Sequence, residues 1–127
     1  MNVLVDSDVL IDVSRGRDAD VIARWLELSG SDAVVFYSPV SVAELWAGAL
    51  PREHAVLARL FAALRCAPID AEAGRRAGEY LNQFRASHRI EVADALIAAG
   101  AVGCGAELWT RNRKHYPMAE IGFFSGG

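Results

Sequence analysis

Val3-Leu4-Val5 is an uninterrupted apolar run, ended at once by Asp6. A strand with one face in water alternates apolar and polar side chains, so a run without alternation needs cover on both faces, as in a parallel sheet between helix layers. The rest of the chain supplies that cover. A helix capped by Ser7 or Asp8 carries Val9, Leu10 and Val13 and stops at Gly16; a second, near 18–29, turns Ile22, Trp25, Leu26 and Leu28 to one side. Ala33-Val34-Val35-Phe36-Tyr37, β-branched and aromatic, is the clearest strand signal, and Ser38-Pro39 behind it starts a helix over 39–49. Residues 52–65 continue the helical pattern into a hairpin, and Ala67-Pro68-Ile69 fits a small strand. Asp70 caps a helix through Ala73, Ala77, Leu81 and Phe84, an Ala-rich helix over 91–102 ends in Gly103, and 107–110 is a last strand, with 121–124 pairing at an edge. Strands alternating with helices predict an α/β fold of three layers with a mostly parallel central sheet, one domain over residues 1–127.

The 127 residues are 53% hydrophobic and 23% charged, enough apolar surface for one packed core and too much for a disordered or low-complexity chain. Asp94, Arg65 and Gly30 interrupt every apolar stretch well before a membrane span, and the N-terminus lacks the basic start of a secretory signal, so a cytoplasmic protein is expected. Cys66 and Cys104 have no metal-ligand spacing and are expected in the core. Residues 1–50 hold eight acids against three bases; the remainder holds eight acids against ten bases, all but Lys114 arginine. Arginine suits phosphate. An exposed basic helix face gives the same count, so charge alone does not select a nucleic-acid partner.

Open parallel sheets bind ligands at the carboxyl ends of their strands. Asp6 closes the first strand, Glu44 lies on the helix entered from the second, and Thr110, Asn112 and His115 follow the last. On a helical wheel Asp94 shares its face with Ala98 and Ala101, small side chains that leave space beside a carboxylate with no Arg or Lys three or four residues away. If Asp6, Glu44 and Asp94 converge, their repulsion calls for a cation, and oxygen-only donors favour Mg²⁺ or Mn²⁺ over Zn²⁺. Such an ion equips a site for phosphodiester hydrolysis.

These residues also carry a family pattern. Val3-Leu4-Val5-Asp6-Ser7-Asp8-Val9-Leu10-Ile11 resembles the first motif of PIN-domain nucleases, in particular VapC toxins. Pro39-Val40-Ser41-Val42-Ala43-Glu44-Leu45 resembles the second motif, Ala93-Asp94-Ala95-Leu96-Ile97-Ala98-Ala99 the third and Leu108-Trp109-Thr110-Arg111-Asn112-Arg113-Lys114-His115-Tyr116 the last. The four stand in order over nearly the whole chain. The resemblance implies a metal-dependent endoribonuclease, homodimeric, held inactive by a VapB-type antitoxin. By position it makes Asp6 and Asp94 metal ligands, Glu44 a third acid that binds metal or positions its water, Asn112 a further site residue, and Ser7 and Thr110 supporting hydroxyls. Two departures stand out: Asp8, where relatives often have Asn, Ser or Thr, and His115, where they often have an acid. Arg111, Arg113 and Lys114, beside the expected site, are candidates for RNA phosphates.

Plainer readings compete. Asp6 can simply end a strand and cap a helix, Glu44 can be a solvated glutamate, Asn112 a turn residue and His115 a loop histidine. Asp6-Ser7-Asp8 also imitates the Asp-x-Asp signature of haloacid-dehalogenase phosphatases, which need a lysine and a later acidic pair. A PIN-like binding module without turnover is the non-enzymatic alternative.

Overall fold

The computed structural model describes residues 1–125. Four parallel strands, β1 (Asn2–Val5), β2 (Val34–Tyr37), β3 (Arg65–Cys66) and β4 (Glu107–Trp109), lie in the order β3-β2-β1-β4. Helices α1 (Ser7–Arg15) and α2 (Ala19–Ser29) connect β1 to β2, and α3 (Pro39–Ala47) and α4 (His54–Ala62) connect β2 to β3. Helices α5 (Ala71–His88) and α6 (Val92–Gly103) then carry the chain back across β1 to β4. β1 is therefore central, and the connection reverses direction beside it. Such a reversal leaves a crevice at the carboxyl ends of the two flanking strands, here β1 and β4.

Alternation along the strands divides the core into two layers. Val3 and Val5 of β1 and Trp109 of β4 pack toward Val9, Leu10, Leu45, Leu57 and Phe61, whereas Leu4 and Leu108 face α5 and α6. Val3, Leu4 and Val5 are all fully buried. The apolar run thus sits in the doubly covered strand that its sequence requires, each such side chain contributing about 2 kcal/mol by leaving water. Helix α6 lies close to the sheet because its buried face is small: a Cβ on Gly100 would stand 3.6 Å from both Ala67 Cβ and Leu4 Cδ1. Ala98 and Ala101, expected to open space beside Asp94, are instead buried in this contact.

Other departures have local causes. Asp6, not Ser7 or Asp8, is the N-cap of α1: it leaves the strand extended, at φ −71° and ψ 159°, and accepts the Ser7 N–H. α1 ends at Gly16 in the left-handed region, φ 64°, where any side chain is strained. Pro51 starts a short 3-10 turn (Pro51–Glu53) that precedes α4, so the helix expected from 52 begins at His54 and ends at Ala62. β3 lies at 65–66 instead of 67–69. Ala67 N–H still reaches Tyr37 O, at 2.8 Å, but Pro68 has no N–H with which to extend the ladder. The tail pairs as expected, Phe123 bridging Leu108 in parallel. Cys66 is exposed at the edge strand and Cys104 half-buried, so neither fills the core as expected. No described helix is long and apolar enough to cross a membrane.

Candidate active site

Helices α1, α3 and α6 all begin at the carboxyl edge of the sheet, so their N-terminal partial positive charges face the crevice and favour anionic groups there. Each delivers an acid. Asp6 caps α1 with Asp8 in its first turn, Glu44 lies in the second turn of α3, and Asp94 lies in the first turn of α6. These four carboxylates line one open cavity of about 260 Å³, together with Ser7, Asn112 and Tyr116. Ala93 and Ile97 are the apolar neighbours of Asp94 there. Asp6, Glu44, Asp94, Asn112 and Ser7 are thus brought together as the sequence pattern implies.

Asp6 is held most completely. Its Oδ1 accepts the Ser7 N–H at 2.7 Å, and its Oδ2 accepts both the Thr110 hydroxyl at 2.8 Å and the Tyr116 hydroxyl at 2.9 Å. Thr110 Oγ1 in turn accepts the Asn112 N–H at 3.0 Å, which joins the loop after β4 to the first strand. Burial drives the Asp6 carboxyl above the usual carboxylate range, with Asp94 adding repulsion, against the lowering effect of these donors. Burial, and next the charge of Asp6, push Asp8 up to about 6. The Tyr116 hydroxyl is also driven upward, by burial first and then by Asp6, so it stays protonated and donates.

Ser7 holds Glu44. Its Oγ stands 2.7 Å from Glu44 Oε1 and 2.7 Å from Oγ of the fully buried Ser41. Ser7 has one proton, and a carboxylate only accepts, so Ser7 donates to Glu44 and Ser41 donates to Ser7. The opposite wall is looser. Asp94 Oδ2 accepts the Glu91 N–H at 3.0 Å, a capping role that gives Asp94 a structural use the sequence reading did not find. His115 Nδ1 lies 3.7 Å from the same Oδ2 and 2.9 Å from Asn112 Nδ2. The amide as donor leaves Nδ1 unprotonated and the ring proton on Nε2.

The three cations expected to face RNA are placed differently from one another. Arg111 gives its guanidinium to Asp12 and Asp18 and its backbone N–H to Asp8 Oδ2, at 3.1 Å, so it ties the loop after β4 to α1 and to the cap of α2. Arg113 lies over the Phe123 ring, 4.9 Å from its centroid, and Lys114 is exposed. Tyr116 and Ser41 are site residues that sequence reasoning passed over. A buried tyrosine hydroxyl needs a partner, and a tyrosine following the polar run at 110–115 was the available signal.

The donor set suits a hard cation, being oxygen-only with acids on three walls. Among the described residues no three His, Cys, Asp or Glu side chains stand at direct ligand spacing. The acids surround the cavity without closing on one point, which fits an ion such as Mg²⁺ that keeps several of its own waters.

Residues 3–121 match the model of the PIN domain family. Ribonuclease VapC10 of Mycobacterium tuberculosis is 42% identical over 120 residues, covering 93% of this chain and 88% of that protein. The DNA-bound VapBC structure from Salmonella typhimurium aligns with a TM-score of 0.82 at 18% identity, over 100% of this chain and 99% of that one. A toxin-antitoxin complex from Klebsiella pneumoniae aligns with a TM-score of 0.69 at 20% identity, over 98% of each chain. At those identities the two structures speak for the fold.

Proposed function

The chain belongs to the PIN domain family, and we propose that its acidic cavity makes it a divalent-metal-dependent endoribonuclease, the toxin of a toxin–antitoxin pair. The observation that carries this reading is the convergence of Asp6, Asp8, Glu44 and Asp94, from three separate segments, on one open cavity at the reversal point of the sheet. Four acids around one space repel one another, and the capping roles of Asp6 and Asp94 do not account for Glu44 and Asp8 facing the same space. A site for a cation and a phosphodiester does.

Asp6, Asp94 and Glu44 would hold Mg²⁺ or Mn²⁺, whose chemistry there is to neutralise charge on a phosphoryl oxygen and to acidify water. The protein's own contribution is positioning. Thr110 and Tyr116 fix one oxygen of Asp6 and Ser7 N–H the other, so this carboxylate has a single orientation. The Ser41–Ser7 chain aims Glu44 over the cavity, where it orients the attacking water. Asn112 spends one amide N–H on His115 and has a second for a phosphoryl oxygen. Among the described residues no lysine lines the cavity, which leaves the phosphatase reading without its cation.

The antitoxin is proposed to cover the α3–α4 side, where Trp46 and Val56 are exposed apolar residues and Trp46 lies against His54 with ring centroids 5.0 Å apart. The name of the Klebsiella relative, a toxin-antitoxin complex, supports such a partner. The test of activity is cleavage of synthetic single-stranded RNA by the purified chain with Mg²⁺, Mn²⁺ or EDTA, beside Asp94→Asn. Cleavage with either metal, lost in EDTA and in the variant, is expected; equal cleavage in EDTA overturns the reading.

A further inference from the structure

Four acids exceed the charge of one divalent ion, so cations outside the cavity are needed to hold an RNA strand beyond the phosphate at the site. Arg111 is occupied by Asp12 and Asp18 and Arg113 covers Phe123. Three other arginines line two neighbouring depressions. Ile11 and Glu44, which line the acidic cavity, also line a narrow depression shared with Arg15, Leu45 and Gly48. Arg15, Gly48 and Glu53 of that depression in turn line a groove of about 510 Å³, together with Arg17 and Arg52.

All three arginines are exposed. Arg15 Nε is braced at 3.2 Å by Glu53, whose carboxyl is held low by the Leu50 N–H first and then by Arg15, and no acceptor within the described residues takes the two terminal nitrogens of Arg15. Arg17 and Arg52 form no ion pair within 4.0 Å among the described residues. The backbone presents them: Gly16 ends α1 in the left-handed turn, and Arg17 N–H binds Asp12 O at 2.9 Å, which carries the chain outward at that point. α1 starts at the catalytic end and finishes at Arg15, nine residues or about 14 Å away.

We propose that this arginine-lined groove is the path of the RNA strand leaving the scissile bond, with Arg15, Arg17 and Arg52 holding phosphates about four stacked nucleotides away at roughly 3.4 Å each. The proposal rests on the ribonuclease reading and names where its substrate lies. Charge favours RNA over an antitoxin peptide here, because three guanidinium groups against one carboxylate attract an anion, and among the described residues Leu50 is the sole large apolar side chain in the wide part of the groove.

The test measures binding of a labelled, uncleavable 2′-O-methyl RNA, about 12 nucleotides long, as a function of salt. It compares the wild type with R17Q/R52Q and with R75Q/R85Q, whose exposed arginines lie on α5 across the sheet. Losing two phosphate contacts flattens the log–log salt slope by about 1.4 and weakens binding about tenfold in low salt. R75Q/R85Q keeps the wild-type slope. Equal slopes for wild type and R17Q/R52Q overturn the groove while leaving the ribonuclease reading intact if the wild type still cleaves. Equal loss in both double variants also overturns it, as general charge attraction. A wild type that neither binds nor cleaves overturns both. If R17Q/R52Q loses antitoxin affinity and keeps RNA affinity, the groove belongs to the peptide.

Discussion

The two walls of the cavity hold the same kind of side chain by opposite means. On the β1 wall Asp6 is buried and accepts three hydrogen bonds, one from its own helix start and two from the stretch after β4, and Glu44 is fixed through a chain of two serine hydroxyls. On the α6 wall Asp94 accepts one N–H from its own helix turn and faces His115 at 3.7 Å. The first wall is expensive, since burying a carboxylate opposes its charge, and it stays in place because every donor around it is already aimed. The second is lightly held and exposed enough to adjust. A site built this way has one fixed reference and one adaptable arm, which suits a cavity whose acids do not close to ligand spacing without a cation.

The largest expected effect comes from removing charge on the adaptable arm without disturbing its cap. Asp94→Asn keeps an oxygen for the Glu91 N–H, so folding is unchanged or slightly improved as repulsion with Asp6 falls, while RNA cleavage drops about a hundredfold or more. Cleavage rates and thermal melts of the same preparation check both halves. An active variant breaks the comparison by removing one of its two walls from the chemistry.

Next comes the rigid wall. Tyr116→Phe removes one of two donors to Asp6 Oδ2 and is expected to lower cleavage about tenfold and stability by about 1.5 kcal/mol, the scale of a hydrogen bond to a charged group. His115→Ala, the corresponding change on the other wall, is expected to cost severalfold in cleavage and little in stability, because His115 is half-exposed and, among the described residues, its side chain hydrogen-bonds Asn112 alone, with Asp94 at 3.7 Å. Equal stability losses in the two variants, by denaturant titration, would contradict a division into rigid and adaptable sides.

The acids of both walls were named from the sequence, whereas much of what holds or faces them was not: Tyr116 and Ser41 on the β1 wall, and the packing around Asp94 on the α6 wall. Val3-Leu4-Val5 followed by Asp6 encodes a covered strand with an acid at its carboxyl end, and Ser38-Pro39 puts Glu44 on the helix entered from the next, but only the motif around Ser41 and Glu44 separates that acid from a solvated glutamate. The polar neighbours of Asp94 depend on how α6 meets the loop after β4. A wheel predicted Ala98 and Ala101 beside it, yet the close approach of α6 to the sheet buries both, leaving Ala93 and Ile97 at the cavity. Arg111 shows the same limit: its partners lie 99 and 93 residues away, and no local pattern names them.

The smallest effect concerns pH, and it isolates the strain of the rigid wall. Burial first of all pushes Asp8 in the folded chain up to about 6 and raises Asp6 as well, both above the ordinary carboxylate value of 3.8. The folded state therefore holds protons that the unfolded chain has released. This contribution to stability is fully present below about 3.8 and disappears as pH rises through about 6. Asp18, Glu53 and Glu72 are lowered, so what they add is present above their unfolded values and lost only as pH falls. The interval around pH 6 then belongs to Asp8 among these groups, with Asp6 acting in the same direction. Asp8→Asn removes the Asp8 share, and the variant's melting temperature in EDTA is expected to exceed that of the wild type by a few degrees at pH 7, with the gap narrowing toward pH 4. Taking the difference between variant and wild type cancels every group the two share. A gap that stays constant from pH 4 to 7 would mean that Asp8 carries no burial strain, and the asymmetry between the walls would then rest on Asp6 and its three donors alone.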